Sequence, residues 1–183
     1  HVTSLTGFVK ILDHLRLGGS SDHLFFRGHP AKSFETQPSV FRNQKHADSE
    51  HLMIRELLAS HPREFQSDNS TFERLVRAQH YGLPTRLLDV TRNPLVALYF
   101  ACCEHSNETG QILIIDGPEE KRKFFDSDVV SCMSNLCFLS DSEKQAIIDK
   151  GSEIIDMTDG LLEKEGVDAH HDKCVEELNK DRT

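Results

Sequence analysis

Between Ser70 and Phe100 the chain reads STFERLVRAQHYGLPTRLLDVTRNPLVALYF. No other stretch restricts the fold as strongly, because it holds a helix start, a helix stop and a second helix start in close succession. Ser70-Thr71-Phe72-Glu73 matches a capping box, in which the Ser hydroxyl and the Glu carboxylate each satisfy a backbone N–H of the first turn. Phe72, Leu75, Val76 and Gln79 continue the helical face. Gly82 fits the left-handed position that closes a helix, and Pro84 bars its continuation. Asn93 then suits an N-cap and Pro94 the first helical position, which predicts a second helix through about Glu104. Between these signals crowd His80, Tyr81, Thr85, Arg86, Asp89, Thr91 and Asn93. A plain linker needs a Gly, a Pro and a few solvated side chains. These donors and acceptors either tie the fold together from within or face a ligand.

The flanking segments predict an α+β fold. Leu5, Phe8, Val9, Leu12 and Leu15 recur at helical spacing, giving a helix from about Thr6 to Leu17, and "HLFFRG" reads as a strand broken at Gly28. "PSVFRN" is a brief turn or a single helical turn. "SEHLMIRELLASHP" is amphipathic through Leu52, Ile54, Leu57 and Leu58 until Pro62 stops it. "GQILIID", Gly110 to Asp116, is the clearest strand and apolar enough for burial on both faces. Leu95, Leu98 and Phe100 read as core. Residues 117–183 read as an acidic, mostly helical part, so the 183 residues form a single domain with its motifs in residues 5–116.

The longest apolar run, Leu95 to Cys103, is half the ~18 residues of a membrane span, so neither a membrane partner nor a spanning segment is expected. The five cysteines lack CxxC spacing and read as reduced, mostly buried thiols of a cytoplasmic protein, with no metal predicted. A net charge of -9 argues against a surface that coats nucleic acid. Residues 25–92 nonetheless balance at +2 and carry five of the 11 histidines, while the remainder balances at -11. A local anionic partner suits that Arg-rich middle.

Arg27, behind two aromatics, needs a carboxylate, carbonyls or a bound anion, since an unpaired buried guanidinium is costly. It is either a structural partner of Asp89 or a bidentate phosphate contact, with Gly28 letting a ligand approach the backbone. His80 either answers the last carbonyls of its helix or lines a cleft beside Tyr81, which otherwise packs on Leu83 or Leu87. Asp89 and Thr91 precede an electropositive helix start, where they cap, pair or support an anion. No GxSxG or Cys-His arrangement supports nucleophilic catalysis.

"FFRG", "TQPSVFR" (Thr36 to Arg42) and "QHYGLPTRLLDVTRNPLVALYFA" together resemble the FRG domain family, named for its Phe-Arg-Gly signature and widespread in bacteria and their phages. The resemblance covers Leu5 to Asp116. A second similarity is to ADP-ribosyltransferases of the Arg–Ser-Thr-Ser–Glu type. "FFRG" resembles their first strand, "LDVTRNPLVALYFA" their second element with Ala97 and Phe100 in place, and "GQILIID" the strand that follows.

That resemblance implies a helical N-terminal part packed on a small, split sheet and a cleft for NAD or a related nucleotide. Arg27 would hold a phosphate beside Gly28, His80 and Tyr81 would line the pocket, and Arg86, Asp89 and Thr91 would support it. Asp89-Val90-Thr91 replaces the serines. The acid such transfer needs has its sole Glu-x-Glu candidate in Glu163 and Glu165, with His80 and Tyr81 as further catalytic candidates. The resemblance also leaves room for a C-terminal strand beyond Thr183. It implies a role in a bacterial defence or toxin system; the alternative is a non-catalytic module that recognises protein or nucleic acid through its Arg- and His-rich middle.

Overall fold

The structure, a computed structural model, describes residues 2–17, 23–104 and 107–165, without the side chains of 16–17 and 156–165. Its contacts divide the chain into two units, His1–Phe138 and Leu139–Thr183. The first unit contains α1 (Leu5–Leu17), β1 (Leu24–His29), α2 (Gln44–Ser60), α3 (Thr71–His80), α4 (Pro94–Cys102), β2 (Gln111–Asp116) and α5 (Asp128–Asn135), with single 3-10 turns at Ser39–Arg42, Glu119–Lys121 and Leu136–Phe138. The second contains α6 (Asp141–Glu165). The α+β expectation holds.

β1 and β2 pair antiparallel, with Phe26 opposite Ile114, Arg27 opposite Leu113 and His29 opposite Gln111. On the other edge of β1, Phe26 exchanges two backbone hydrogen bonds with Thr91, at 2.7 and 2.8 Å. β1 is therefore central and runs through Gly28 to His29, where a break was expected. Among the described residues the sheet is this single pair, extended by Thr91.

Alternation along β1 gives the sheet two unlike faces. Phe26 and Gly28 turn toward α4, and Phe25, Arg27 and His29 turn away. α4 sits directly on the first face. A Cβ on Gly28 would lie 1.9 Å from the carbonyl oxygen of Ala97, and one on Gly110 would lie 2.1 Å from that of Ala101. Ala97 and Ala101, four residues apart, are the buried members of the helix. Leu95 and Phe100, expected in the core, are 51% and 54% exposed. The helix is apolar on every side, and the small residues face inward because only they allow so close an approach.

β2 is correspondingly half exposed rather than buried on both faces, with Ile114 at 44%, because α4 packs mainly on β1 and leaves an open apolar cavity beside β2. An apolar cavity of about 1000 Å³ opens between α1, α4 and β2, lined by Leu5, Phe8, Leu98, Tyr99, Ile112 and Ile114 among others. Three of the described cysteines, 102, 103 and 132, are exposed and only Cys137 is buried, against the expectation of mostly buried thiols. Cys174 lies outside the described residues.

A second packing centre joins Ile54 of α2, Leu75 and Ala78 of α3, Phe65 and Cys137, with Leu57, Leu83, Leu87 and Phe138 against it. α2 starts at Gln44, earlier than the apolar period indicated, because the Asn43 side chain accepts the Lys45 N–H at 3.0 Å. α3 carries the capping box, and Gly82, at φ +84°, closes it. Leu83 N–H donates to the Ala78 carbonyl and Gly82 N–H to that of Gln79, each at 3.0 Å, which completes a Schellman closure. The stretch from Gly82 to Asn93 thus runs from the α2–α3 centre to the sheet.

Candidate functional site

Arg27 lies mid-strand, on the face away from α4. Its Nε donates to His29 Nε2 at 3.0 Å and its Nη1 to the backbone oxygen of Asp89 at 2.6 Å. Neither partner is a carboxylate, so the structural link to Asp89, one of the two readings of Arg27, is a bond to that residue's carbonyl and not an ion pair. The Asp89 carboxylate accepts instead from Gln79 Nε2 at 2.7 Å. Burial lowers the guanidinium pKa from its ordinary value, the Asp89 charge opposes that shift, and Arg42 adds to it. Arg42 itself donates Nε and Nη2 to the Gln37 carbonyl.

His29 is 2% exposed. Accepting from Arg27 requires a free lone pair on Nε2, which places the ring proton on Nδ1 and leaves the imidazole neutral. The Gln111 side-chain nitrogen, Nε2, lies 3.3 Å from Nδ1. Burial, Arg27 and Arg42 push the imidazole pKa down, against a backbone hydrogen bond with Phe34 that raises it. The Phe34 ring, 39% exposed, sits 6.2 Å from the imidazole.

Thr85 anchors the approach to this group. It is 1% exposed; its N–H donates to Ser39 Oγ at 3.1 Å, its carbonyl accepts from Val40 N–H at 3.2 Å, and its hydroxyl donates to Gln79 Oε1. Gln79 therefore links Thr85 to Asp89, and Asp89 reaches Arg27 through its carbonyl. One polar chain runs from the end of α3 to the middle of β1.

The remaining sequence candidates lie as follows. Gly28 faces α4, so its missing side chain makes room for the helix and not for a ligand. Arg86 makes a two-point ion pair with Glu50 of α2, Nε to Oε1 at 2.9 Å and Nη2 to Oε2, with side-chain exposures of 14% and 3%. Thr91 bridges to Phe26, and its hydroxyl accepts from Asn93 N–H at 3.1 Å, next to the Asn93 cap of α4. His80 is exposed in the last turn of α3. Tyr81 turns to another neighbourhood, donating to Glu64 at 2.6 Å with its ring 6.1 Å from Phe65. Its hydroxyl pKa is raised, first by that hydrogen bond. Glu163 and Glu165 belong to α6, and their side chains lie outside the described residues.

Arg27, Asp89 and Thr91 thus meet at β1, whereas Tyr81 does not join them. His29, Arg42 and Gln79 are members that the sequence reading did not single out. Of these, His29 was accessible, since strand alternation puts it on the face of Arg27. Among the described residues no group of three His, Cys, Asp or Glu side chains could hold a metal ion, and no described helix is long and apolar enough to cross a membrane.

The fold and this arginine-centred junction define an α+β module whose Phe-Arg-Gly strand and Gly82–Asn93 stretch form one polar unit. Residues 22–110 match the family model of the FRG domain, and the chain carries an FRG domain over that span. No curated protein and no solved structure matches the chain.

Proposed function

We propose that the FRG domain binds a phosphate-bearing nucleotide, NAD or a relative of it, on the Arg27 face of the sheet. One observation carries the reading: Arg27 is held by two neutral acceptors, whereas Arg77 and Arg86 each spend their fork on a carboxylate. A guanidinium fixed in orientation by a carbonyl and a neutral imidazole keeps its charge for an incoming anion. Nη2 has no acceptor among the described residues. Arg42 adds a second cation near enough to act on both Arg27 and His29. Phe34 offers an aromatic surface beside them of the kind on which a planar base stacks. The Arg86–Glu50 pair and Thr91 hold the frame in this reading, and no catalytic acid is assigned.

Thermal melts with NAD, ADP-ribose, other nucleotides and short DNA test it. A ligand at 100 times its Kd should raise stability by about 2.7 kcal/mol. The rise should disappear in Arg27→Ala and weaken in Arg42→Ala, whose exposed side chain makes it the safer variant for folding. If no nucleotide shifts the wild type, the reading is wrong. A shift that both variants retain would move the site elsewhere.

A further inference from the structure

We infer that the outer edge of β2, which no described residue pairs, is a pairing surface for a second copy of this chain. Gly117 N–H donates to the His23 carbonyl across the ladder. In an antiparallel pair, alternate residues of one strand point their backbone groups at the partner. Ile115, Leu113 and Gln111 therefore bond to β1, and the N–H and C=O groups of Ile112 and Ile114 point outward. No described residue pairs with them.

An open edge is ordinarily blunted by a lysine, a proline, a bulge or an inward charge. The run Gln111-Ile112-Leu113-Ile114-Ile115 has none of these. It is also self-complementary. Antiparallel pairing about a two-fold axis at Leu113 lets Ile112 and Ile114 exchange backbone hydrogen bonds with their counterparts. The same register sets Ile112 against Ile114, Leu113 against itself and Gln111 against Ile115. Asp116, the strand's only charge, falls opposite Gly110 and meets no like charge. Two chains of net charge -9 repel each other, so a neutral contact is where association is least opposed. Ile112 and Ile114 also line the apolar cavity, so pairing brings two more isoleucines to its mouth.

Sedimentation velocity from micromolar to millimolar chain, at low and high salt, tests the inference together with amide exchange at both ends of that range. The mass should move from 20.8 kDa toward twice that value, and further at high salt, where repulsion is screened. The Ile112 and Ile114 amides should exchange fast when dilute and become protected when concentrated, while those of Leu113 and Ile115 stay protected throughout. Ile114→Lys should weaken association by about tenfold or more, since its charge enters both halves of the contact. A monomer at every concentration overturns the inference. So does a dimer in which the Ile112 and Ile114 amides still exchange fast, or one that Ile114→Lys leaves equally tight.

Discussion

Replacing Gly28 by alanine tests the account of the sheet at its tightest point. The added methyl would meet the Ala97 carbonyl oxygen at 1.9 Å, the Ala97 carbonyl carbon at 2.9 Å and the Ala101 nitrogen at 2.8 Å. All three are backbone atoms, so no rotamer change relieves the overlap, and α4 has to retreat by about 1.5 Å to restore ordinary contact. Overpacking of a core costs about 1–3 kcal/mol, and a clash with helix backbone belongs at the top of that range. At roughly 3 °C per kcal/mol for a domain of this size, the midpoint should fall by about 10 °C. Thermal and urea melts of Gly28→Ala would measure it. Ala97→Gly should give no rescue, because the obstacle is the carbonyl and not the side chain. Gly151→Ala, a helical site with nothing within 4 Å of the new methyl, should leave stability unchanged or raise it. A Gly28→Ala protein that melts with the wild type, or is restored by Ala97→Gly, refutes the packing argument. Unchanged stability with lost nucleotide binding would return Gly28 to the ligand.

Glu50→Gln should cost about 3 kcal/mol in urea unfolding, because it leaves the mostly buried Arg86 without its counter-charge. Gly82→Ala should cost about 1 kcal/mol, purely from its positive φ, since the new methyl meets open space; a loss much larger than that would point to a clash. His29, whose folded pKa is lowered, contributes stability that is complete above its unfolded value of 6.5 and lost as pH falls through the folded one. Midpoints should therefore decline below pH 6.5, and the decline should be shallower in His29→Gln. Asp68, held below the usual carboxylate range by its hydrogen bonds with Arg77, follows the same sign lower down: its contribution is present above 3.8 and lost as pH falls through the depressed value. Asp68→Asn should remove that acid-range component of the melting profile.

Helix ends were the most legible part of the sequence, because capping is decided by a few neighbouring residues. Ser70 with Glu73, Gly82, and Asn93 with Pro94 each act as their local chemistry indicates. The buried face of α4 was not legible in the same way. With apolar residues on all sides, periodicity could not choose between Leu95 or Phe100 and the alanines, and the choice rests with Gly28 and Gly110 in other elements. The same distance hid the partners of the arginines. Arg86 fits a ligand or a carboxylate equally well until the fold brings Glu50 to it from 36 residues away. Arg27 invited a carboxylate, yet it receives the Asp89 backbone, a partner that side-chain chemistry does not announce.

The Asp89–Arg27 bond, which joins residues 62 apart, has a consequence for when the site exists during folding. α2 and α3 can collapse onto each other through contacts close in sequence, and β1 with β2 needs a much longer loop to close. Arg27 acquires its environment only when the α2–α3 centre, which anchors Thr85 and Arg86, and the sheet, which carries His29, are both assembled. No partly opened form of the unit presents the arrangement, so an anion bound there counts against every such opening at once. Amide exchange would register such a ligand in α2 as well as in β1, even though it touches only one of them.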